Sequence, residues 1–183
     1  MPPPQDPDPR PLPGEPLALD LLNTQWRASG GPVDLLATPD GTRAWLAAAG
    51  VTAAAADGTR EALVTARQAI RDVLTGRGGT AARGRLGAVL GHGCLRLSLG
   101  PGMAPTRTLE VDDPAWQPAV MAAVSLLDLL GQAPGRIRQC DHPACVLWFH
   151  DSTRNGTRRW CSMAVCGNRA KARRHYDRAK ETR

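Results

Sequence analysis

The sequence predicts an α+β fold that is predominantly helical, in which an N-terminal helical domain with a small antiparallel β element precedes a small cysteine-bearing module. Three observations predict it. Apolar residues recur at helical spacing over most of residues 15 to 133. One stretch, around residues 95 to 111, switches to alternation. Four of the five cysteines form two pairs of identical internal spacing, C-D-H-P-A-C from Cys140 and C-S-M-A-V-C from Cys161, with fifteen residues between them.

Residues 1 to 14 are proline-rich and polar, which favours an extended, disordered tail. The helical domain follows, over 15 to 133. In L-A-L-D-L-L-N-T-Q-W, Leu19, Leu22 and Trp26 fall at helical spacing while Leu17 and Leu21 thicken the apolar side. This predicts a short buried helix ending near Gly30-Gly31-Pro32. Asp20, Asn23 and Thr24 place polar groups inside it; such groups either bond each other and the backbone or line a pocket. They are the candidate ligand-pocket residues, and structural bonding is the plainer reading. Thr38-Pro39-Asp40 signals the next helix start, with Trp45 and Leu46 facing the core and Gly50 as the stop. A longer helix is predicted from Thr59 to Thr75, striped by Leu63, Ala66, Ile70 and Val73 and ended by Gly76. Arg77 to Gly84 reads as a mobile connection and Leu86 to Leu90 as one or two helical turns. Leu95, Leu97 and Leu99, then Thr106, Thr108, Leu109 and Val111 across G-P-G-M-A-P, read as an antiparallel strand pair, with Cys94 a buried small hydrophobe. Asp113-Pro114 caps a helix to Leu130, striped by Val120, Val124 and Leu127, and Pro134-Gly135 marks the boundary to the module at 136–183.

Two cysteine ligands on each side of a loop can close a tetrahedral thiolate cage around one structural zinc ion. Val146 to His150 and Arg158 to Trp160 are strand-like, and D-S-T-R-N-G between them supplies turn residues, so a hairpin is predicted there. Cys161 leads into a helix whose first turn carries Cys166. A knuckle, a hairpin and a helix sharing one metal is a treble-clef-like zinc finger. With so little other core, the metal supplies folding energy of order 10 kcal/mol. His142 and His150 could replace a thiolate, but the four cysteines make that unnecessary.

Charge is concentrated in the same module. Residues 136 to 183 hold 12 Arg and Lys against 4 Asp and Glu, a surplus of +8, while residues 1 to 135 hold 11 against 13, or −2, which together make the net +6. Four thiolates with one zinc remove about two of those positive charges. The asymmetry points to a polyanion. Arg outnumbers Lys 21 to 2, as GC-rich coding would have it, so clustering rather than Arg content is the signal.

C-x4-C, W-F-H-D and R-R-W-C-S-M-A-V-C-G-N-R-A-K-A-R-R-H-Y resemble the CGNR zinc finger, whose signature is Cys166-Gly167-Asn168-Arg169 here. G-E-P-L-A-L-D-L-L-N-T resembles the opening of the ABATE domain usually joined to it. The resemblance covers nearly the whole chain after the tail and implies a bacterial, stress-linked transcription regulator with a DNA-binding finger.

The candidate nucleic-acid contacts are Arg169 and Arg173 four apart on the last helix, Arg174 and Arg178 on the neighbouring face, flanking Lys171, and Arg154, Arg158 and Arg159 on the hairpin. Asn168, like Arg169, stands beside the last ligand, where supporting the cysteine sulfurs is at least as natural as reading bases. DNA is the expected partner. An RNA-binding or protein-interaction module is the alternative, and a thiol-based redox sensor a second. A homodimer would read two half-sites. Catalysis is not expected: there is no Gly-rich phosphate loop, nucleophile elbow or H-E-x-x-H, and a full thiolate cage has no open position. No apolar run approaches the roughly 20 residues of a membrane helix and the start lacks a signal peptide's apolar core, so a cytoplasmic, nucleoid-associated protein is expected.

Overall fold

The helix predicted from Leu17 is six residues long: α1 spans Leu17–Leu22. The structure is a computed structural model that describes residues 9–51 and 58–181, the side chains of 174–179 and 181 excepted. Helix α1 stops because Thr24 Oγ1 donates to Leu21 O at 2.7 Å, taking a carbonyl at the helix end. The chain then runs extended as β1 (Gln25–Ala28), turns through Ser29 and Gly30, and returns as β2 (Gly31–Asp34). Trp26 pairs with Val33 and Ala28 with Gly31. The Gly-Gly-Pro breaker is thus the turn of a hairpin, not the end of a longer helix. Gly31, at φ +122°, takes a backbone conformation that a Cβ disfavours, and strands of four residues are too short for alternation to stand out against helical spacing.

Helix α2 (Pro39–Ala48) begins as predicted, with Thr38 Oγ1 accepting from Gly41 N at 3.1 Å and proline in the first turn. Gly41 is fixed by close approach, since a Cβ there would lie 1.8 Å from Leu35 O. Helix α3 (Thr59–Thr75) has its predicted bounds and ends on left-handed Gly76. Helix α4 (Gly79–Leu90) takes up most of the stretch expected to be a mobile connection. It is tethered to α3 by Arg85, whose Nη2 donates to Asp72 Oδ2 at 2.8 Å, a tertiary bond that local composition does not signal.

Strands β3 (Gly93–Leu99) and β4 (Pro105–Val111) form the predicted antiparallel pair, with Leu95 opposite Leu109. The ribbon stands outside the core: Leu97 is 70% and Leu99 65% exposed. Cys94 is therefore exposed too, contrary to the buried site expected for it. After a short 3₁₀ turn capped by Asp113, which accepts from Ala115 N at 2.9 Å, α5 spans Gln117–Gln132. Its buried face is Ala119, Val120, Ala122, Ala123, Leu126 and Leu129, while Leu127, placed on the predicted stripe, is 46% exposed. Helix α5 packs against α3, whose buried residues include Ala62, Ala66 and Ala69. Alanines on both buried faces leave room for close helix approach. Leu19, Leu22, Trp45, Leu63 and Ile70 fill the space around them.

The last residues of the proline-rich stretch are packed rather than free. Arg10 is buried, with its guanidinium on the Asp20 carboxylate, and Leu12 lies against the cysteine cluster. Among the described residues no helix is long and apolar enough to cross a membrane.

Candidate metal centre and the basic surface around it

Strands β5 (Ile137–Gln139) and β6 (Trp148–His150) pair antiparallel, with Ile137 opposite His150 and Gln139 opposite Trp148. The turn between them carries the first two cysteines. Cys140 N donates to Leu147 O at 2.9 Å, Cys145 N to His142 O at 2.8 Å, and His142 Nδ1 accepts from Ala144 N at 3.2 Å. The hairpin predicted between 146–150 and 158–160 does not form. Two ligands five residues apart must turn back to one point, and the strands flanking that turn become neighbours; alternation marks a strand but not its partner.

The second pair reaches the same point from the other side. Cys161 N donates to Cys140 Sγ at 3.4 Å. Cys166 sits on a single π-helical turn, Met163–Gly167, which runs directly into α6 (Asn168–Glu181). Such widened turns commonly occur at functional positions. Cys145 and Cys161 sulfurs are 3.8 Å apart, Cys161 and Cys166 sulfurs 3.6 Å, and all four lie within 4.8 Å of one another. A tetrahedral zinc with Zn–S bonds of about 2.3 Å has S···S edges of about 3.8 Å, so these cysteines can hold one zinc ion. Three of them are buried and Cys145 is half-buried. Without a cation the thiols share protons unevenly. The hydrogen bond from Cys161 holds Cys145 down to about 5, and that same bond raises Cys161. Burial pushes Cys166 up to about 12. Four thiolates this close repel one another, and a divalent cation is what lets all of them ionise together.

Residues 151 to 158 form a loop built on Asp151, whose carboxylate is wholly buried. It accepts from Thr153 Oγ1 at 2.6 Å, Thr153 N at 3.0 Å and Arg158 N at 2.9 Å. The Thr153 hydroxyl is the main reason its carboxyl stays below the usual range. Arg136 gathers the carbonyls of Asp151, Thr153 and Arg154, and Arg138 Nη2 donates to Gly156 O at 2.8 Å. Gly156 is left-handed at φ +62°, and a Cβ there would lie 2.8 Å from Arg136 Nη1. Sequence reading singled out none of Arg136, Arg138 or Asp151. The available signal was Asp151-Ser152-Thr153, an Asp followed two residues on by its own bonding partner.

The predicted basic residues divide into two kinds. Arg158 turns inward: its Nε donates to Trp160 O at 3.0 Å, its Nη2 bonds Cys161 O, and its guanidinium lies 4.3 Å from the centre of the Phe149 ring. It braces the second ligand pair instead of facing solvent. Arg159 donates to Asp141 Oδ2 at 2.7 Å and lies over Trp160, yet remains mostly exposed. Arg154 on the loop and Arg169, Lys171 and Arg173 on α6 are exposed. The side chains of Arg174 and Arg178 lie outside the described residues. Asn168 Nδ2 donates to Ala164 O at 3.2 Å, bonding the π turn and not a sulfur. Arg169 borders a small hollow beside Cys145 and Cys166.

Comparison with known families decides what these parts are. The ABATE profile, described as "Putative stress-induced transcription regulator", matches residues 15–132, and the CGNR zinc finger profile matches residues 136–179. The chain belongs to the ABATE family. Comparison with curated proteins gives no match. The ABATE domain and the CGNR finger stand in the order that the resemblance implied, and with the four-cysteine cluster they describe a zinc-binding protein of a regulator family, built from domains of non-enzymatic kinds.

The ABATE domain and the finger are joined through Asn23, one of the three polar residues of the α1 region. Asn23 is fully buried: its Nδ2 donates to Trp148 O at 2.9 Å and its Oδ1 accepts from Trp148 N at 2.9 Å. Its amide thus bonds the finger's β6 as a neighbouring strand would. Asp20 accepts from Trp45 Nε1 at 2.8 Å as well as from Arg10. Thr24 Oγ1 accepts from Arg67 Nη1 at 2.8 Å. All three side chains are committed to bonds within the fold, and the main cavities among the described residues are lined by others. Glu15 adds a further link, accepting from His150 N at 2.8 Å, with burial raising its carboxyl above the ordinary value. Trp148 belongs to the ABATE core cluster, and Trp26 of the ABATE domain packs against the cysteines.

Proposed function

We propose that this protein is a DNA-binding transcription regulator whose CGNR finger docks on duplex DNA and whose ABATE domain carries the regulatory input. The observation that supports the reading is the charge partition: the finger quarter has a surplus of +8 against −2 for the rest, and Arg154, Arg159, Arg169, Lys171 and Arg173 are exposed on it. A concave surface of about 600 Å³ bordered by Arg154 and Arg159 lies between the loop and the turn that starts α6. Guanidiniums on such a surface neutralise phosphates and can bond guanine edges bidentately. The zinc has a structural task in this reading. It fixes where α6 begins and at what angle it leaves the finger. The protein then works in the bacterial cytoplasm, on the nucleoid.

RNA recognition is the weaker reading, because stacking platforms need exposed aromatics and here Trp148 is 7% and Phe149 0% exposed. Fluorescence anisotropy of zinc-loaded protein with random duplex DNA tests the proposal. About five phosphate contacts give a slope of about −4.5 in log K against log salt. Binding that is absent, or insensitive to salt, sinks the reading, and preference for single strands or RNA in competition moves it to the alternative.

A further inference from the structure

Away from the basic surface, a cleft of about 530 Å³ lies between the two units, walled by the β1–β2 hairpin, the end of α3 and the finger's β5 and β6. Its apolar part comes from Trp26 and Val33 on the ABATE side and Val146 and Trp148 on the finger side, and the rest of the lining is polar, including three guanidiniums, Arg27, Arg71 and Arg77. The one carboxylate in the lining, Asp34, is already neutralised. Arg67 grips both its oxygens at 2.6 and 2.7 Å, and Gln25 Nε2 donates to it at 2.8 Å. Burial alone would raise its carboxyl, but these bonds outweigh burial and hold it below the ordinary value.

Arg71 is half-buried, and its hydrogen bond is to a neutral group, Gln25 Oε1 at 2.7 Å. Burial and the neighbouring Arg67 disfavour its charge and together outweigh Asp34 and Asp72, which favour it. Arg27 and Arg77 have no ion-pair partner among the described residues. A half-buried cation whose neighbouring carboxylates, Asp34 and Asp72, are each held by another arginine, two more cations at the rim and a volume in the range of small-molecule sites suit the binding of an anion.

We propose that this cleft binds a small organic anion, a carboxylate or phosphate carried on an apolar or aromatic body, with Arg71 and Arg77 taking the anionic group and Trp26 and Val33 the apolar part. A polymer phosphate would need only the rim and leave Arg71 and the apolar wall unused. Because both units wall the cleft, such an anion bridges the ABATE domain and the finger. The inference does not depend on DNA binding and is tested without nucleic acid.

Zinc-loaded full-length protein is titrated calorimetrically with benzoate, phenyl phosphate, inorganic phosphate and the neutral benzamide. Saturable one-to-one binding is expected for at least one of the two aromatic anions, with benzamide and inorganic phosphate weaker by about tenfold or more, the scale of one charge-assisted bond. Arg71→Gln and Arg77→Ala are each expected to weaken it by about tenfold; Arg77 is exposed and makes no tertiary bond among the described residues, so its variant keeps the test open if Arg71→Gln fails to fold. No saturable binding by either aromatic anion at millimolar concentration, equal binding of benzamide, or anion binding unchanged in Arg77→Ala overturns the proposal. So does a pattern in which Arg77→Ala weakens duplex DNA binding while neither aromatic anion binds.

Discussion

Replacing Asn23 by alanine removes two of the hydrogen bonds that tie the finger to the ABATE domain. The side chain is wholly buried and bonds both backbone groups of Trp148, each at 2.9 Å. Each bond contributes about 1 kcal/mol net, and leaving a buried N–H and C=O without partners adds a comparable cost, so Asn23→Ala should lose about 3–4 kcal/mol. For a protein of this size that lowers Tm by about 10 °C. Asn23→Asp has the same shape and keeps the bond from Trp148 N, but it sets a carboxylate oxygen against Trp148 O; at neutral pH it should lose at least as much. Denaturant unfolding gives the free energy, and hydrogen exchange at the Trp148 amide reports the local bond. If Asn23→Ala unfolds within about 0.5 kcal/mol of the parent while Trp148 stays protected, the joint described here does not hold the two units together.

Three further outcomes follow from the structure. Cys166→Ser should lower zinc content well below one ion per chain by atomic absorption, and chelation of the parent should unfold the finger, since structural zinc contributes about 10 kcal/mol in small fingers. Arg67→Met should cost about 2 kcal/mol at neutral pH, by denaturant unfolding, since it strips Asp34 of its main partner. Because the folded-state pKa of Asp34 is depressed, this stabilisation is complete above the ordinary aspartate range, near 4, and is lost as pH falls through the lowered folded-state value, so the difference between parent and variant should shrink steadily below about pH 4. Arg169→Ala should reduce the salt slope of DNA binding by about one unit with Tm unchanged, whereas Arg158→Ala, which removes a brace on Cys161 O, should lower Tm; the reverse pattern would mean the two arginines have exchanged roles.

What the sequence reveals here depends on how local each signal is. The ligand set was legible because spacing alone brings paired thiols together, and the bounds of α3 were legible because both its stripe and its stop glycine lie within the helix. Partnership was not legible. Strand character in Trp148 to His150 says nothing about whether 137–139 or 158–160 lies beside it, and the choice falls to the metal-bearing turn. Asn23 stood out as polar on an apolar helix, but its partner lies 125 residues away. Arg10 looked like part of an unpacked tail because nothing nearby in sequence announces the buried Asp20 it neutralises. On α5 the stripe was right at Val120 and wrong at Leu127, because the buried face also takes in small residues, Ala119, Ala122 and Ala123, that apolar bulk does not mark.

The Asp151 loop has a consequence for how this surface can diversify. Arg136 and Arg138 hold it by the carbonyls of residues 151, 153, 154 and 156, and every residue type offers a carbonyl. The scaffold is therefore indifferent to the side chains displayed at positions 154, 155 and 157. Those three positions can change without cost to the bonds that hold the loop, altering what the finger greets while its shape stays intact.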